Sequence, residues 1–438
     1  MKGKFELGVK LVRLELGDIY ITDVQFGSRT EVLKNVLYIN KDELAQVAGD
    51  DERIASIEVD LAKPGEKTRI MPVKDVIEPR VKVSGRGGIL PGFISAVETV
   101  GEGRTHVLKG AAVITTGRIA GFQEGIIDMS GIGARYTPFS ETRNIVLKVE
   151  PGAGIHQHEH ELVVRMAGFR AAAYLGEAGR GEKPDQVQVY ETKPILEQVQ
   201  EYPGLPKVVY VYMLQSQGLL HDTYLYGVDV KKIIPTFIYP TEVMDGAIAS
   251  GNCVSACDKN PTYIHQNSPV IHELYERYGK DINFLGVVVT NENVTLADKE
   301  RSSDYTAKLV EFLGADAVIV SEEGFGNPDA DLVMNCAKLE KKGIITVLIT
   351  DEYAGQDGAS QSLADSTPLG NAVVSAGNAN QVITLPPMEK VIGYPEVADK
   401  ITGGSAGSLS QDGSITAEIQ VITGATNELG FGKLSARG

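Results

Sequence analysis

The stretches INFLGVVVT (282–290), ADAVIVSEE (315–323) and IITVLITDE (344–352) decide the fold class. Each is a short run rich in Val and Ile, as expected of a strand buried on both faces. Between them, LADKERSSDYTAKLVEFLG (296–314) and DADLVMNCAKLEKKG (329–343) carry apolar residues at helical spacing. Strands alternating with helices predict a parallel sheet covered by helices on both faces. NAVVSAG (371–377) and QVITLP (381–386) read as further buried strands.

Upstream, NIVLKVEP (144–151), AAAYLGEA (171–178), VQVYET (187–192) and KVVYVYML (207–214) are short apolar or mixed runs separated by helix-like segments. The first hundred residues are strand-rich. KLVRLELGDIYITDVQFG (10–27) and ASIEVDL (55–61) alternate with period two, KTRIMPVKDVIEPRVKVSG (67–85) is broken by prolines, and SGRGGILPG (84–92) reads as a loop or hinge. The expected fold class is α/β, a strand-rich N-terminal region followed by parallel-sheet alternation. The expected units are 1–110, strand-rich; 111–252, α/β; and 253–438, α/β. Residues 208–251 can be laid beside 317–360, each reading strand, turn, helix, strand, small-residue loop. That pattern fits two related α/β lobes or two ordinary strand–helix–strand units.

With 42% hydrophobic residues, 438 residues are enough to bury a sizeable core. The net charge of −16 argues against a nucleic-acid partner, which needs clustered Lys and Arg. The N-terminus lacks the apolar core of a signal peptide, and no stretch has the ~18 consecutive apolar residues of a membrane span. Cys253, Cys257 and Cys336 are too few for a disulfide framework. A reduced cytoplasmic protein is the expectation.

Familiar motifs are absent. GFGK (430–433) lacks the leading Gly of a phosphate loop, with Asn427 in its place, and Leu434 follows where Ser or Thr belongs. GIGARY (131–136) lacks the third glycine of a dinucleotide loop. His156, His158 and His160 in IHQHEHEL (155–162) fall where a helix begins, which suits a solvated first turn, and no metal is expected. Ligands of open parallel sheets gather beyond the carboxyl ends of the strands. Gln215, Glu242, Glu322, Glu323, Asp351 and Glu352 are expected there, with Cys253 in a following loop. These acids, Glu242, Glu322 and Asp351 among them, either hold a substrate ammonium or cap helices and turns.

Cys253 and Cys257 are separated by three residues, not the two of a redox or zinc pair. Cys253 is either a buried structural cysteine or a nucleophile. Gly251 and Asn252 tolerate unusual backbone dihedrals, and a thiol at such a peptide can attack the preceding carbonyl. That N-to-S shift gives a thioester. Loss of the β-substituent and hydrolysis of the enamine would then leave a pyruvoyl group and ammonia.

GNCVSACDKNPTYIHQNSPV (251–270) closely resembles the component B proproteins of the glycine/sarcosine/betaine reductases, most of all the glycine type. RLELGDIYITDVQFG (13–27), GFQEGIIDMSGIGARYTPFS (121–140), TDEYAGQDGASQSLAD (350–365) and ITGATNELGFGKLSA (422–436) extend the resemblance over nearly the whole chain from about Arg13. Residues 1–12 read as an extension or a late start choice. The resemblance implies cleavage between Asn252 and Cys253, with Cys253 becoming a pyruvoyl cofactor that binds the substrate amine as a Schiff base. It also implies three partners: a selenocysteine-containing subunit of component B that attacks the α-carbon, a small selenoprotein A, and a component C that forms acetyl phosphate. The activity implied is reductive C–N cleavage of a small amino acid, releasing ammonia. His221, in GLLHDTYLYG (218–227), is a candidate proton donor, with a hydrogen-bonded loop histidine as the alternative. Sarcosine or betaine as substrate, and an unprocessed α/β ligand-binding protein, are the competing readings.

Overall fold

The strand Lys207–Leu214 explains the architecture. Every residue after Lys207 is buried, and the alternation of a strand sends successive side chains to opposite faces. Val209, Val211 and Met213 join a core with Val310 of the helix Leu296–Leu313 and Leu332 of the helix Asn327–Glu340. Tyr210, Tyr212 and Leu214 point the other way, into the core shared with Ile271 and Leu274 of the helix Pro269–Arg277. Both faces are therefore covered, as the continuous apolar runs required. The computed structural model describes residues 11–120, 124–218, 220, 223–251, 256 and 258–429.

The sheet around this strand has six members in the order Thr236–Ile238, Asn283–Asn291, Lys207–Leu214, Ala317–Ser321, Ile345–Glu352 and Val373–Asn378. All neighbours pair in parallel except the first, which is an antiparallel edge. Local chemistry sets the helices. Thr295 accepts from the Asp298 N–H to start the helix Leu296–Leu313, and Gly314, at φ 69°, ends it. Asp329 accepts from the Gly326 N–H at 2.9 Å and caps the next helix.

Among the described residues the N-terminal part holds a small three-stranded sheet within residues 23–39 and two larger ones. One runs Gln186–Thr192, Val12–Tyr20, Gly103–Lys109, Arg80–Ser84. The other runs Gly125–Asp128, Thr68–Ile77, Ala111–Gly117, Arg143–Pro151, Ile54–Ala62, and Lys390–Gly393 adds to Thr68–Ile77 in parallel. The fold is α/β, as the sequence predicted, but several particulars differ. AAAYLGEA is the end of the helix Gln157–Glu177, not a separate run; Gly176 lets that helix lie so close to the Arg80 carbonyl that a Cβ would collide with it. QVITLP leaves the parallel sheet, and Val382–Leu385 pairs antiparallel with Ile415–Glu418. Strand pairing crosses the 110/111 boundary, since Thr68–Ile77 bonds to Ala111–Gly117. The two segments compared as a repeat also differ. The second has a fourteen-residue helix carrying a parallel crossover, whereas the first returns by the short antiparallel strand Thr236–Ile238.

No helix among the described residues is long and apolar enough to cross a membrane. The six-stranded sheet takes two strands from before residue 252 and four from after it, and the Lys207–Leu214 strand sits between two of the later ones. Separating the chain at that point would expose unpaired strand edges and the apolar core on both sides. Residues 11–252 and 253–438 produced separately are expected to be insoluble or to lack cooperative unfolding, and to recover both when co-expressed. Circular dichroism melts of each piece check this, and a separate piece that melts cooperatively as a monomer would contradict it.

Candidate functional site at the carboxyl ends of the parallel strands

Gln215, Glu292, Glu322 and Glu323 follow the ends of three adjacent parallel strands, and Asp351 lies near the end of a fourth. All are buried. Glu323 ties the strand ends together. Its Oε2 accepts from the Gln215 N–H at 2.9 Å and from the Thr223 hydroxyl at 3.1 Å, and its own N–H donates to Glu292 at 2.7 Å. Its Oε1 accepts from the Asn260 N–H at 2.9 Å, which brings in the segment after residue 253.

That segment is held on every side. Gly251 closes the strand Ile248–Ser250, and its carbonyl accepts from the Ser250 hydroxyl at 2.9 Å and from the buried Lys259 ammonium at 2.5 Å. The Thr262 hydroxyl accepts from the Ser250 N–H at 3.0 Å and donates to Asp75 at 2.7 Å. Asp75 also accepts from the Thr262 N–H. From the C-terminal side, the Gly424 N–H donates to the Ala256 carbonyl at 2.7 Å, and the Asn427 amide reaches the Asn260 side chain at 2.6 Å.

His265 is fully buried; its Nδ1 is hydrogen-bonded to the Tyr212 hydroxyl at 2.7 Å, and its Nε2 lies 3.7 Å from Glu323. Tyr212 stacks on Tyr210, whose hydroxyl meets Ser321 at 2.6 Å. Burial, with the Lys259 charge adding to it, pulls the His265 imidazole down to about 3. It is therefore neutral at pH 7 and acts by hydrogen bonding. Burial pushes the carboxyls of Glu292, Glu322, Asp351 and Glu428 well above their usual range, and neighbouring acids push further. Beside the strand ends a cleft of about 620 Å³ is lined by Phe325, Tyr353, Gln356, Lys400 and Glu418. Phe325 and Tyr353 stack at 4.2 Å there, directly downstream of the two acidic strand ends.

Of the residues expected at strand ends, Gln215, Glu322, Glu323, Asp351 and Glu352 are there. Glu242 instead starts the helix Pro240–Met244, accepting from the Tyr239 N–H and the Tyr226 hydroxyl at 2.6 Å each, a capping role. Glu352 accepts from Ser362 and Ser375. His156 and His158 stand exposed at the start of the helix Gln157–Glu177, as the solvated reading anticipated, whereas His160 is half-buried and burial pulls its imidazole down to about 4. Asn252, Cys253 and His221 lie outside the described residues. Sequence reasoning missed Asp75, Asp258, Lys259, His265, Glu292 and Glu428. Glu292 had a usable signal, since it ends a Val-rich run as Glu322 does. Asp75 and Glu428 had none.

Burial pushes Asp75 up to about 7 against a usual aspartate value near 3.9. Between those values the folded protein binds the extra proton, so stability falls as pH rises through this window. Asp75→Asn removes that contribution. The loss of thermal stability between about pH 4 and pH 7 is expected to be smaller in Asp75→Asn than in the unaltered protein. Scanning calorimetry across the window checks the sign, and an unchanged slope would refute it.

A family model described as "Glycine/sarcosine/betaine reductase component B subunits" matches residues 12–437. Two relatives named "Glycine reductase complex component B subunits alpha and beta", from Acetoanaerobium sticklandii and Peptoclostridium acidaminophilum, are each 66% identical to the chain. The alignments cover 97% and 98% of this chain and all of each relative. The "Sarcosine reductase complex component B subunit alpha" of Peptoclostridium acidaminophilum is 59% identical over 97% of this chain and all of that one. No solved structure matches. On a match that spans nearly its whole length, the chain belongs to the component B family of the glycine/sarcosine/betaine reductases, enzyme proteins that act as one component of a larger complex.

Proposed function

We propose that the chain is the proprotein of the substrate-binding component B of a glycine reductase, cut between Asn252 and Cys253 to leave a pyruvoyl group at the new N-terminus. The observation that carries this reading is the grip on both flanks of that bond. Ser250 and Lys259 hold the Gly251 carbonyl, while Gly424, Asn427 and Glu323 hold the residues that follow. Anchored flanks would restrict the backbone between them and favour attack of a thiol on its own preceding carbonyl, which is the effect of proximity on such a shift. The name "subunits alpha and beta", carried by single-chain relatives, agrees with a chain that becomes two.

The surroundings suit the group. Among the described residues, the Asn260 amide nitrogen and His265 Nε2 are buried without a hydrogen-bond partner, two groups suited to carbonyl or carboxylate oxygens. When present, the pyruvoyl supplies a ketone carbonyl that condenses with the substrate amine and draws electrons from its C–N bond. Lys259 fixes the strand leading to the site, neutral His265 serves as a donor, and the covered strand ends exclude water. The chain has no redox motif, so the electrons and the attack on the α-carbon fall to partners. These are a selenocysteine-containing subunit of component B, a small selenoprotein A and an acetyl-phosphate-forming component C. Processing would divide the chain into 1–252 and 253–438, still interlocked through the six-stranded sheet. Glycine is preferred over sarcosine because identity is 66% to the glycine-type relatives and 59% to the sarcosine type.

Two measurements test this. Intact mass of the mature protein is expected to give chains of 252 and 186 residues, roughly 27 and 20 kDa, the smaller blocked to Edman sequencing. Cys253→Ala is expected to remain a single 47.0 kDa chain while Cys257→Ala is still cut; an uncut active enzyme would overturn the reading. Borohydride trapping with labelled glycine and sarcosine at equal concentration is expected to label the smaller chain preferentially from glycine. One N-methyl group alters discrimination by only about 1–3 kcal/mol, so equal trapping would change the substrate and leave the processing intact.

A further inference from the structure

Five residues beyond Cys253, Asp258 meets Asp351 and Glu428 in a group whose ligand oxygens all lie within 4.8 Å of one another. The three come from distant parts of the chain: the loop after residue 253, the end of a parallel strand and the C-terminal segment. All three are completely buried, and so is Glu322, whose charge acts on each of them. Three or four carboxylates confined together repel one another strongly.

The hydrogen bonding shows a regular division of labour. Asp351 Oδ2 accepts from the Thr426 hydroxyl at 2.9 Å, and Glu428 Oε1 accepts from the Gly324 N–H at 2.9 Å. Glu322 Oε1 accepts from the Thr350 hydroxyl. The second oxygen of each, Asp351 Oδ1, Glu428 Oε2 and Glu322 Oε2, is buried with no hydrogen-bond partner among the described residues. One oxygen oriented by a protein donor and the other left for a ligand is how outer contacts prepare carboxylates to coordinate a metal. Lys259, the basic neighbour of Asp258 in sequence, commits its ammonium to the Gly251 carbonyl. Glu322 is an independent indication, since it stands outside the Asp258–Asp351–Glu428 trio yet also leaves a buried oxygen unbonded.

We infer that Asp258, Asp351 and Glu428, with Glu322 beside them, bind a divalent cation that fastens the segment following residue 253 to the strand ends and to the C-terminal segment. An all-oxygen, carboxylate-rich set selects a hard ion, Ca²⁺, Mg²⁺ or Mn²⁺, over one that prefers nitrogen or sulfur. No metal-ligand spacing can be recognised in the sequence, because the ligands lie at 258, 351 and 428. The site requires neither cleavage nor the pyruvoyl, so it stands or falls separately from the proposed function.

The test is metal content of the full-length protein purified without chelators, measured by inductively coupled plasma mass spectrometry. About one equivalent of a divalent metal per chain is expected, in Cys253→Ala as in the unaltered chain. Asp351→Asn with Glu428→Gln is expected to lower that content about tenfold or more. Because such a variant can fail to fold, the unaltered protein is also stripped with a chelator and melted with Ca²⁺, Mg²⁺ or Mn²⁺ added back separately. A lower melting temperature after stripping, restored by one of these ions, supports the site and identifies the ion. Less than about a tenth of an equivalent, together with no melting response to any of the three, would overturn it and leave the carboxyls sharing protons.

Discussion

The Lys207–Leu214 strand is hydrogen-bonded on one side to Asn283–Asn291 and on the other to Ala317–Ser321. Buried backbone groups need partners, and here each partner comes from beyond residue 252. That requirement makes one core of two parts of the chain. It also brings Gln215, Glu292 and Glu323 side by side, because parallel strands present their carboxyl ends along one edge of the sheet. Asn260, in the segment that leads to Thr262, is bonded to this edge through Glu323.

The polar interior is of two kinds. In the N-terminal part, buried charges come in pairs: Arg69 with Asp128 at 2.7 Å, Lys74 with Glu124 at 2.6 Å, Arg80 with Glu78 at 2.6 Å and Arg165 with Glu161 at 2.7 Å. Removing one member of such a pair strands a buried charge at a cost of about 3–5 kcal/mol, so the pairs fix which elements pack together. At the strand ends, Glu322, Asp351 and Glu428 act on one another, Glu292 stands beside Glu323, and among the described residues each of the four keeps an oxygen without a hydrogen bond. Acids pressed together without matching cations destabilise a fold unless a proton, a substrate amine or a metal relieves them. Such sites are where function is expected.

Glu323 and His265 connect the two kinds of chemistry. Glu323 is satisfied by backbone and hydroxyl donors, so it acts as a joint between the strand ends and the loop. His265, kept neutral by burial, offers a hydrogen bond without a charge in a region already crowded with carboxyls. Asp75 reaches the same loop through Thr262 from a different sheet. The loop's geometry therefore depends on all the layers of the molecule.

Much of this was legible in the sequence. Val- and Ile-rich runs and helical spacing after residue 280 identified the parallel sheet, since a strand buried on both faces tolerates few polar residues. The same logic placed Gln215, Glu322, Glu323 and Asp351 at strand ends, and the segment from Gly251 to Val270 carried the family resemblance. It misplaced Glu242, because a short acid-capped helix and a strand ending in Thr and an acid look alike in one dimension. Tertiary structure alone decided that Asp258, Asp351 and Glu428 meet, that Lys259 turns to the Gly251 carbonyl, and that Asp75 supports Thr262. The physical reason is range: periodicity and caps are set by neighbours a few residues apart. Pairing order in a sheet brings together positions far apart in the chain and fixes how the loops between them turn, and no local pattern records it.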